Sequence, residues 1–197
     1  MSRGVDRQRV AAAVRELLSA IGEDPDSETF AETPGRVADA YAEFFAGVGV
    51  DPIDHLREAM PIGEESGELV LIRDIALRSV CEHHLLPFRG RAHVAYRPGD
   101  RVAGLGAIPR VVATLAARPQ LQERLGEQIA EALEVGLGAV GVLVVLEASH
   151  GCVSDRGAKQ ADALVVSMAA RGVFADPVER AEVLSLVAAS DPARGAR

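Results

Sequence analysis

The sequence predicts an α+β fold, in which an antiparallel sheet carries a helix pair on one face and is preceded by N-terminal helices. This prediction depends on the order of the elements: a helical segment, two strands, two consecutive helices and two more strands. No internal repeat, low-complexity segment or long linker interrupts the 197 residues. We therefore expect a single compact chain, with a helical region at residues 1–66 and the main domain at residues 67–197.

The N-terminal helices are predicted from apolar spacing and from a proline. Residues 5–21 place their apolar side chains on one face of a helix. Thr33 is expected to cap a second helix that begins at Pro34 and ends at the glycines around residues 47–49. A short helix is expected within residues 53–60.

The main domain is predicted from two further periodicities. Alternating or β-branched runs predict four strands, at residues 68–77, 91–97, 140–150 and 163–174. Helical spacing predicts three helices, at residues 110–117, 120–137 and 177–188.

Composition argues against several classes of protein. The net charge of −8 is unlike that of a general binder of nucleic acid or of an anionic membrane surface. No apolar run reaches the roughly 18 residues that span a bilayer, and the N-terminus lacks the apolar core of a signal peptide. We therefore expect a cytoplasmic protein. In that reducing compartment the two cysteines favour metal binding or catalysis over a disulfide.

Scarce metal-binding residue types gather in two short segments, CEHH at residues 81–84 and HGC at residues 150–152. Cys81 and His84 are three positions apart, so that one turn can aim both side chains at a single ion. His150 and Cys152 are two positions apart, which would put both on the same side at the end of a strand. Buried cysteines or core histidines would explain either segment alone; the two together favour a metal site.

The two segments combine into a Cys₂His ligand set of Cys81, His84 and Cys152. Three protein ligands with water in the fourth position is the way zinc is held for catalysis, where it lowers the pKa of water to about 7. His83 and His150 would remain beside the ion, where a histidine can move protons. A closed structural zinc site, with one of these histidines as fourth ligand, is the main alternative.

Residues 81–124 form a net-positive segment, with seven arginines and three acidic residues in an otherwise acidic chain. This balance suits a local anion site, although an unevenly charged surface is an equal alternative. Candidates for phosphate contacts are Arg110, Arg118, Arg124 and Arg156. Beside Gln122, the carboxylate of Glu123 could accept the N1–H and 2-amino groups of a guanine, or could simply belong to a solvated helix face.

Several stretches resemble the GTP cyclohydrolase I family, in the family's order and over roughly residues 70–175. They are SVCEHHLLPF, GRAHVAY, RPQLQERL, EASHGC, the pair Arg156 and Gly157, and RGVF at residues 171–174. ETPGRVADAY, near the N-terminus, is similar to the helical lead-in of the family.

The resemblance implies a ββααββ tunnelling fold for a catalytic domain at residues 67–197. It implies a zinc-dependent enzyme that hydrolyses GTP at C8 to formate and 7,8-dihydroneopterin triphosphate, the first step of folate or pterin biosynthesis. It also implies a toroidal homodecamer of two pentamers with active sites between subunits. From the net charge and the length of the apolar runs we expect no nucleic-acid or membrane partner.

The resemblance assigns roles by position. Zinc ligands would be Cys81, His84 and Cys152; catalytic residues would be His83 and His150; the base would be held by Gln122 and Glu123, and the triphosphate by Arg110 and Arg156. The chain departs from the family at Gly106 and Ala107, where the family has Ser and Lys that contact substrate. Two alternatives therefore stay open: a related zinc enzyme for another purine nucleotide with fewer phosphates, and a non-catalytic pterin-binding relative.

Overall fold

The computed structural model describes residues 4–62 and 68–189. The chain divides into two compact units, and the break falls between Val50 and Asp51. The predicted boundary between residues 66 and 67 stays a prediction. Within the described part of the chain, no helix is both long and apolar enough to cross a membrane.

The first unit is a pair of helices, α1 (Arg7–Ala20) and α2 (Thr33–Phe44), which pack against each other. Asp6 caps α1 by accepting the backbone N–H of Arg9. Thr33 is the first helical residue of α2, so its predicted role as the cap is wrong. A backbone turn precedes α2 instead, in which the N–H of Thr33 bonds to the carbonyl of Phe30 at 3.0 Å. Pro34 lies in the first turn, as predicted.

The second unit contains the sheet and the remaining helices. Its strands are β1 (Met60–Pro61), β2 (Val70–Cys81), β3 (Pro87–Arg97), β4 (Arg101–Val102), β5 (Pro119–Gln120), β6 (Gly141–His150) and β7 (Val165–Gly172). Its α-helices are α3 (Ala107–Ala116), α4 (Gln122–Leu137), α5 (Gly151–Ser154) and α6 (Pro177–Ala188), with 3-10 helices at Pro52–Leu56 and Val173–Ala175.

Five strands form one sheet in the order β5-β2-β3-β6-β7. Neighbouring strands are antiparallel, except that β5 pairs with β2 in parallel. The sequence did not predict β5, because two residues are too short to show a periodicity. The hairpin of β2 and β3 runs further than predicted, since the backbone pairing continues to the loop at residues 82–86. Separately, β1 and β4 form a two-stranded antiparallel pair.

The helices α3 and α4 cover one face of the sheet and form the main core with it. Fully buried side chains of this core include Ile108, Val112, Leu125, Ile129, Leu133, Val94, Tyr96, Val144 and Leu146. Each large apolar side chain buried in this way contributes about 1.5–3 kcal/mol relative to an exposed one. A smaller cluster around Phe174 and Val183 lies against Ala95, Leu143 and Val145. The predicted helix pair on one face of an antiparallel sheet is confirmed.

Candidate active site

The loop between β2 and β3 supplies two of the candidate metal ligands. The N–H of Cys81 bonds to the carbonyl of Leu86, and the N–H of Leu85 bonds to the carbonyl of Cys81, each at 2.9 Å. Leu85 adopts a left-handed conformation with φ of 52°, which tightens the loop. Cys81 is buried at the end of β2, whereas His84 is exposed within the loop.

The third candidate ligand lies on a helical turn rather than on a strand. β6 ends at His150, and the single turn of α5 carries Cys152. The expectation that His150 and Cys152 share one side of a strand end is therefore wrong, because the chain turns at Gly151. A Cβ atom at Gly151 would lie 3.1 Å from the carbonyl oxygen of Pro87. The missing side chain thus allows α5 to approach the start of β3.

The ligand atoms of Cys81, His84 and Cys152 lie within 4.8 Å of one another. Tetrahedral zinc with two thiolates and one imidazole would hold such atoms about 3.5–3.8 Å apart. The donor set and its spacing therefore fit a small ion after a slight contraction. Burial, and next the neighbouring thiol of Cys81, raise the pKa of Cys152.

His150 is held by two neighbours. Its ring stacks on Phe88, with 4.6 Å between the ring centroids and 9° between the planes. Its Nε2 atom lies 2.7 Å from Oε1 of Gln122. Partial burial lowers the pKa of His150, and the carboxylate of Glu123 opposes that shift.

Gln122 begins α4 and has a buried side chain with 2% exposure. Its amide nitrogen donates to the carbonyls of Leu146 and Val165, at 3.1 and 3.0 Å, and lies 3.0 Å from Oγ of Ser167. Every polar atom of the side chain is therefore engaged. The predicted role of Gln122 in holding a base stays a prediction.

Glu82 and Arg124 form an ion pair that the sequence did not predict. The guanidinium of Arg124 donates to one oxygen of Glu82, and Nε2 of His83 lies 3.9 Å from the other oxygen. The hydrogen bond from Arg124 is the main cause of the lowered pKa of Glu82. Glu82 lies in the segment CEHH and Arg124 in the segment QERL, both of which match the family. The sequence therefore indicated that the two residues belong to the site, but not that they form an ion pair. The guanidinium of Arg124, a candidate phosphate contact, is therefore paired with the carboxylate of Glu82.

The remaining predicted site residues lie on the surface. Glu123 is exposed in the first turn of α4, and its side chain forms no hydrogen bond or ion pair with the residues that the structure describes. Arg156 is exposed and close enough to lower the pKa of Cys152 slightly. Arg110 is exposed on α3, and the structure shows no hydrogen bond between it and the other predicted site residues that it describes. Ala107, which stands where the family has Lys, is by contrast buried in the core.

The fold and the site together define an α+β protein with a candidate metal centre at the end of its sheet. The family model for GTP cyclohydrolase I matches residues 10–188. A GTP cyclohydrolase 1 from Leifsonia xyli is 60% identical over 93% of this chain and 96% of its own length. The chain belongs to the GTP cyclohydrolase I family. The predicted family and tunnelling-type fold class are thereby confirmed.

Two further relatives carry the same name. A GTP cyclohydrolase 1 from Rhodopirellula baltica is 50% identical over 93% of this chain and 80% of its own length. One from Carboxydothermus hydrogenoformans is 50% identical over 96% of this chain and 99% of its own. Among solved structures, the apo form of an archaeosine synthase QueF-Like has a TM-score of 0.43 at 19% identity, covering 55% of this chain and 97% of that chain.

Proposed function

We propose that this enzyme hydrolyses GTP at C8 with the help of a zinc ion, giving formate and 7,8-dihydroneopterin triphosphate, the entry to folate or related pterins. One observation carries the proposal: the ligand atoms of Cys81, His84 and Cys152 lie within 4.8 Å of one another, and His150 precedes Cys152 by two residues. Membership of the GTP cyclohydrolase I family supports it. The presence of both histidines that can transfer protons argues against a non-catalytic pterin-binding relative.

Zinc suits the three candidate ligands, because two thiolates and an imidazole are donors that it prefers. When bound, zinc would lower the pKa of a water molecule and make a nucleophile available near neutral pH. Among the described residues three side chains form the cluster, which is the number of protein ligands typical of catalytic rather than structural zinc sites.

The two histidines supply the proton transfers in this proposal. His150 protonates N7 of the guanine, which makes C8 electrophilic toward water. The C8–N9 bond then opens and leaves a formamide at N7. Hydrolysis of that formamide by a second water releases formate and frees the amine. His83, near the carboxylate of Glu82, relays protons during the later ribose opening, rearrangement and closure of the new ring.

Glu123 holds the guanine by accepting its N1–H and 2-amino groups, and Gln122, whose side-chain amide is fully engaged, can contact the base only through its backbone. Arg156 and Arg110 contact the triphosphate, since guanidinium groups fork onto phosphate oxygens. Arg110 makes no hydrogen bond to the metal cluster, so we place its contribution in the site of a neighbouring subunit. That placement agrees with active sites that form between subunits.

The assembly proposed for the enzyme is a homodecamer of two pentamers in the cytoplasm. Within the described chain β7 has only β6 as a partner, and β5 covers only the last two residues of β2. Both edges of the sheet are thus open for pairing with further copies, which suits closure of several sheets into a ring.

A direct assay tests the proposed function. Zinc-loaded protein should convert GTP to formate and to a product that fluoresces after oxidation, at a rate that falls strongly in His150→Gln. His150→Gln should keep its zinc, whereas Cys152→Ser should lose most of it, because only the second change removes a ligand. No formate from GTP, or four protein side chains on the ion, would contradict the proposal.

The replacement of the family Ser and Lys by Gly106 and Ala107 favours one alternative substrate class. A site with fewer cations could prefer a purine nucleotide with fewer phosphates. Comparing kcat/KM for GTP, GMP and guanosine separates the two. Equal values would show that Arg110 and Arg156 do not hold the triphosphate.

A further inference from the structure

The side-chain amide of Gln122 has one permitted orientation. Its nitrogen faces the carbonyl oxygens of Leu146 and Val165 at 3.1 and 3.0 Å. Carbonyl oxygens only accept hydrogen bonds, so the NH₂ group and not Oε1 must point toward them. A flipped amide would bring oxygen against oxygen in a buried position and break both of these hydrogen bonds.

The fixed amide determines the proton positions on His150. Oε1 of Gln122 can only accept, and it lies 2.7 Å from Nε2 of His150. That nitrogen must therefore carry the hydrogen. In the neutral ring Nδ1 then has the free lone pair. The stacked ring of Phe88, 9° from parallel, restricts rotation of the imidazole out of this plane.

We propose that Gln122 is a positioning residue, which fixes the Nε2–H tautomer of His150 and thereby assigns Nδ1 as the nitrogen that exchanges a proton with the substrate. The identity of the accepting atom, N7 of guanine, rests on the proposed function; the tautomer does not. Gln122 acts through His150, because all polar atoms of its own side chain are engaged. A contact from Gln122 to the base would have to come from its backbone.

Solid-state ¹⁵N NMR tests the tautomer directly. Zinc-loaded protein labelled at its five histidines is measured at a pH where neutral imidazole dominates, and His150→Gln identifies the signals of His150. We expect a protonated Nε2 in the wild type. In Gln122→Met, which keeps the length but removes the amide, the Nδ1–H form should become populated. A wild-type ring protonated on Nδ1, or an unchanged ring in Gln122→Met, would overturn the proposal.

Kinetics with GTP provide the second measurement. Gln122→Met should lower kcat by about tenfold or more and change KM by less than about threefold, since it misplaces an acid and not a binding group. Ser167→Ala is the matched control, because it removes one contact of the amide and leaves the bond to His150. Equal losses in both variants would reduce the role of Gln122 to packing and overturn the proposal.

The two measurements separate this inference from the proposed function. If the wild type carries the Nε2 proton and Gln122→Met moves it, the positioning role stands even where no GTP is hydrolysed. If GTP is hydrolysed but the proton lies on Nδ1, the proposed function stands and the role of Gln122 fails.

Discussion

At the scale of single residues, Glu123 has an acidic side chain that is exposed at the start of a helix. It lies in the first turn of α4, where the N–H groups of the helix start stabilise a carboxylate. Its side chain is exposed, while its neighbour Gln122 is buried. Glu123 therefore places a carboxylate at the surface, while Gln122, one position earlier, contacts His150 from inside the protein.

We expect Glu123→Gln to lower kcat/KM for GTP by a factor that corresponds to about 2–4 kcal/mol of lost transition-state stabilisation. The glutamine loses the charge-assisted hydrogen bonds of the carboxylate and turns an N–H donor toward the donors of guanine. Steady-state kinetics of the zinc-loaded enzyme give this value. Glu131→Gln, an exposed change further along the same helix, is the control and should be neutral. An unchanged kcat/KM in Glu123→Gln would leave Glu123 as a solvated helix residue.

His93 gives the folded protein a pH dependence. The residue is buried in β3, and its Nδ1 accepts the backbone N–H of Asp74 at 3.3 Å, beside an irregularity of β2. Burial is the main cause of a pKa below the ordinary 6.5; Arg91 and Arg73 lower it further, whereas Asp74 and Glu147 oppose them. Protonation would also set an N–H donor against the N–H of Asp74.

The sign follows from linkage. Since the unfolded chain binds this proton more readily, stability is complete above pH 6.5 and falls as the pH drops toward the folded pKa. We expect the urea midpoint of the wild type to decrease more between pH 7.5 and 5.5 than that of His93→Gln. His55→Gln serves as the control and should follow the wild type. Parallel profiles for wild type and His93→Gln would contradict this role.

At the scale of elements, two connections build the candidate metal centre. One is the loop between β2 and β3, and the other is the short helix α5 after β6. The two connections approach each other closely at Gly151. A Cβ atom there would lie 3.1 Å from the carbonyl oxygen of Pro87 and 3.2 Å from Oδ2 of Asp155. The absence of a side chain at this one position sets the distance between the two halves of the site.

We therefore expect Gly151→Ala to push α5 away from the loop by a few tenths of an ångström and to weaken zinc binding by about tenfold. Competition with a chromogenic chelator measures the affinity. Gly104→Ala is the matched control, since a Cβ at Gly104 meets no atom within 4 Å. Equal affinity in both variants would show that the close approach at Gly151 does not matter for the ion.

At the scale of the whole molecule, the sheet presents one open apolar edge. Exposed apolar side chains lie just before and within β7: Leu164, Val166 and Met168, with 55%, 60% and 50% exposure. Exposed apolar strands at an edge favour pairing with another chain. We therefore expect this edge to form a contact between subunits in the proposed decamer.

The double change Val166→Lys and Met168→Lys should reduce the assembly to smaller species, because charges at an edge oppose strand pairing. Light scattering after size-exclusion chromatography reports the mass. Val178→Lys is the control, since Val178 is 79% exposed on α6 and should tolerate the charge. A double variant of unchanged mass would place the contacts between subunits elsewhere.

Much of the fold was predictable, because long helices and strands show a clear periodicity of apolar residues in the sequence. The strands β6 and β7 and the helices α4 and α6 lie where alternation and helical spacing put them. Short features were not predictable: β5 has two residues, and the start of α2 depends on a backbone turn rather than on a capping side chain.

The candidate site was predictable where scarce residue types cluster in sequence, as Cys81, His84 and Cys152 do. The bond between Gln122 and His150 was not, because it exists only when the start of α4 packs against the end of β6. The pair of Glu82 and Arg124 has the same origin. Contacts between side chains that are far apart in the chain form only through packing, so no characteristic spacing in the sequence predicts them.

The two halves of the metal cluster lie roughly 70 residues apart in the chain, so an ion bound to both closes a long loop. The folded protein has already closed that loop through the pairing of β3 with β6, which sets Phe88 opposite His150. An ion bound at this cluster would therefore meet ligands that the fold has already brought within 4.8 Å of one another, and its binding would cost little further chain entropy. Chelation should leave the far-ultraviolet circular dichroism unchanged, unlike that of small zinc domains that unfold without metal. A collapse of the strand signal would instead make the ion a cross-link on which the sheet depends.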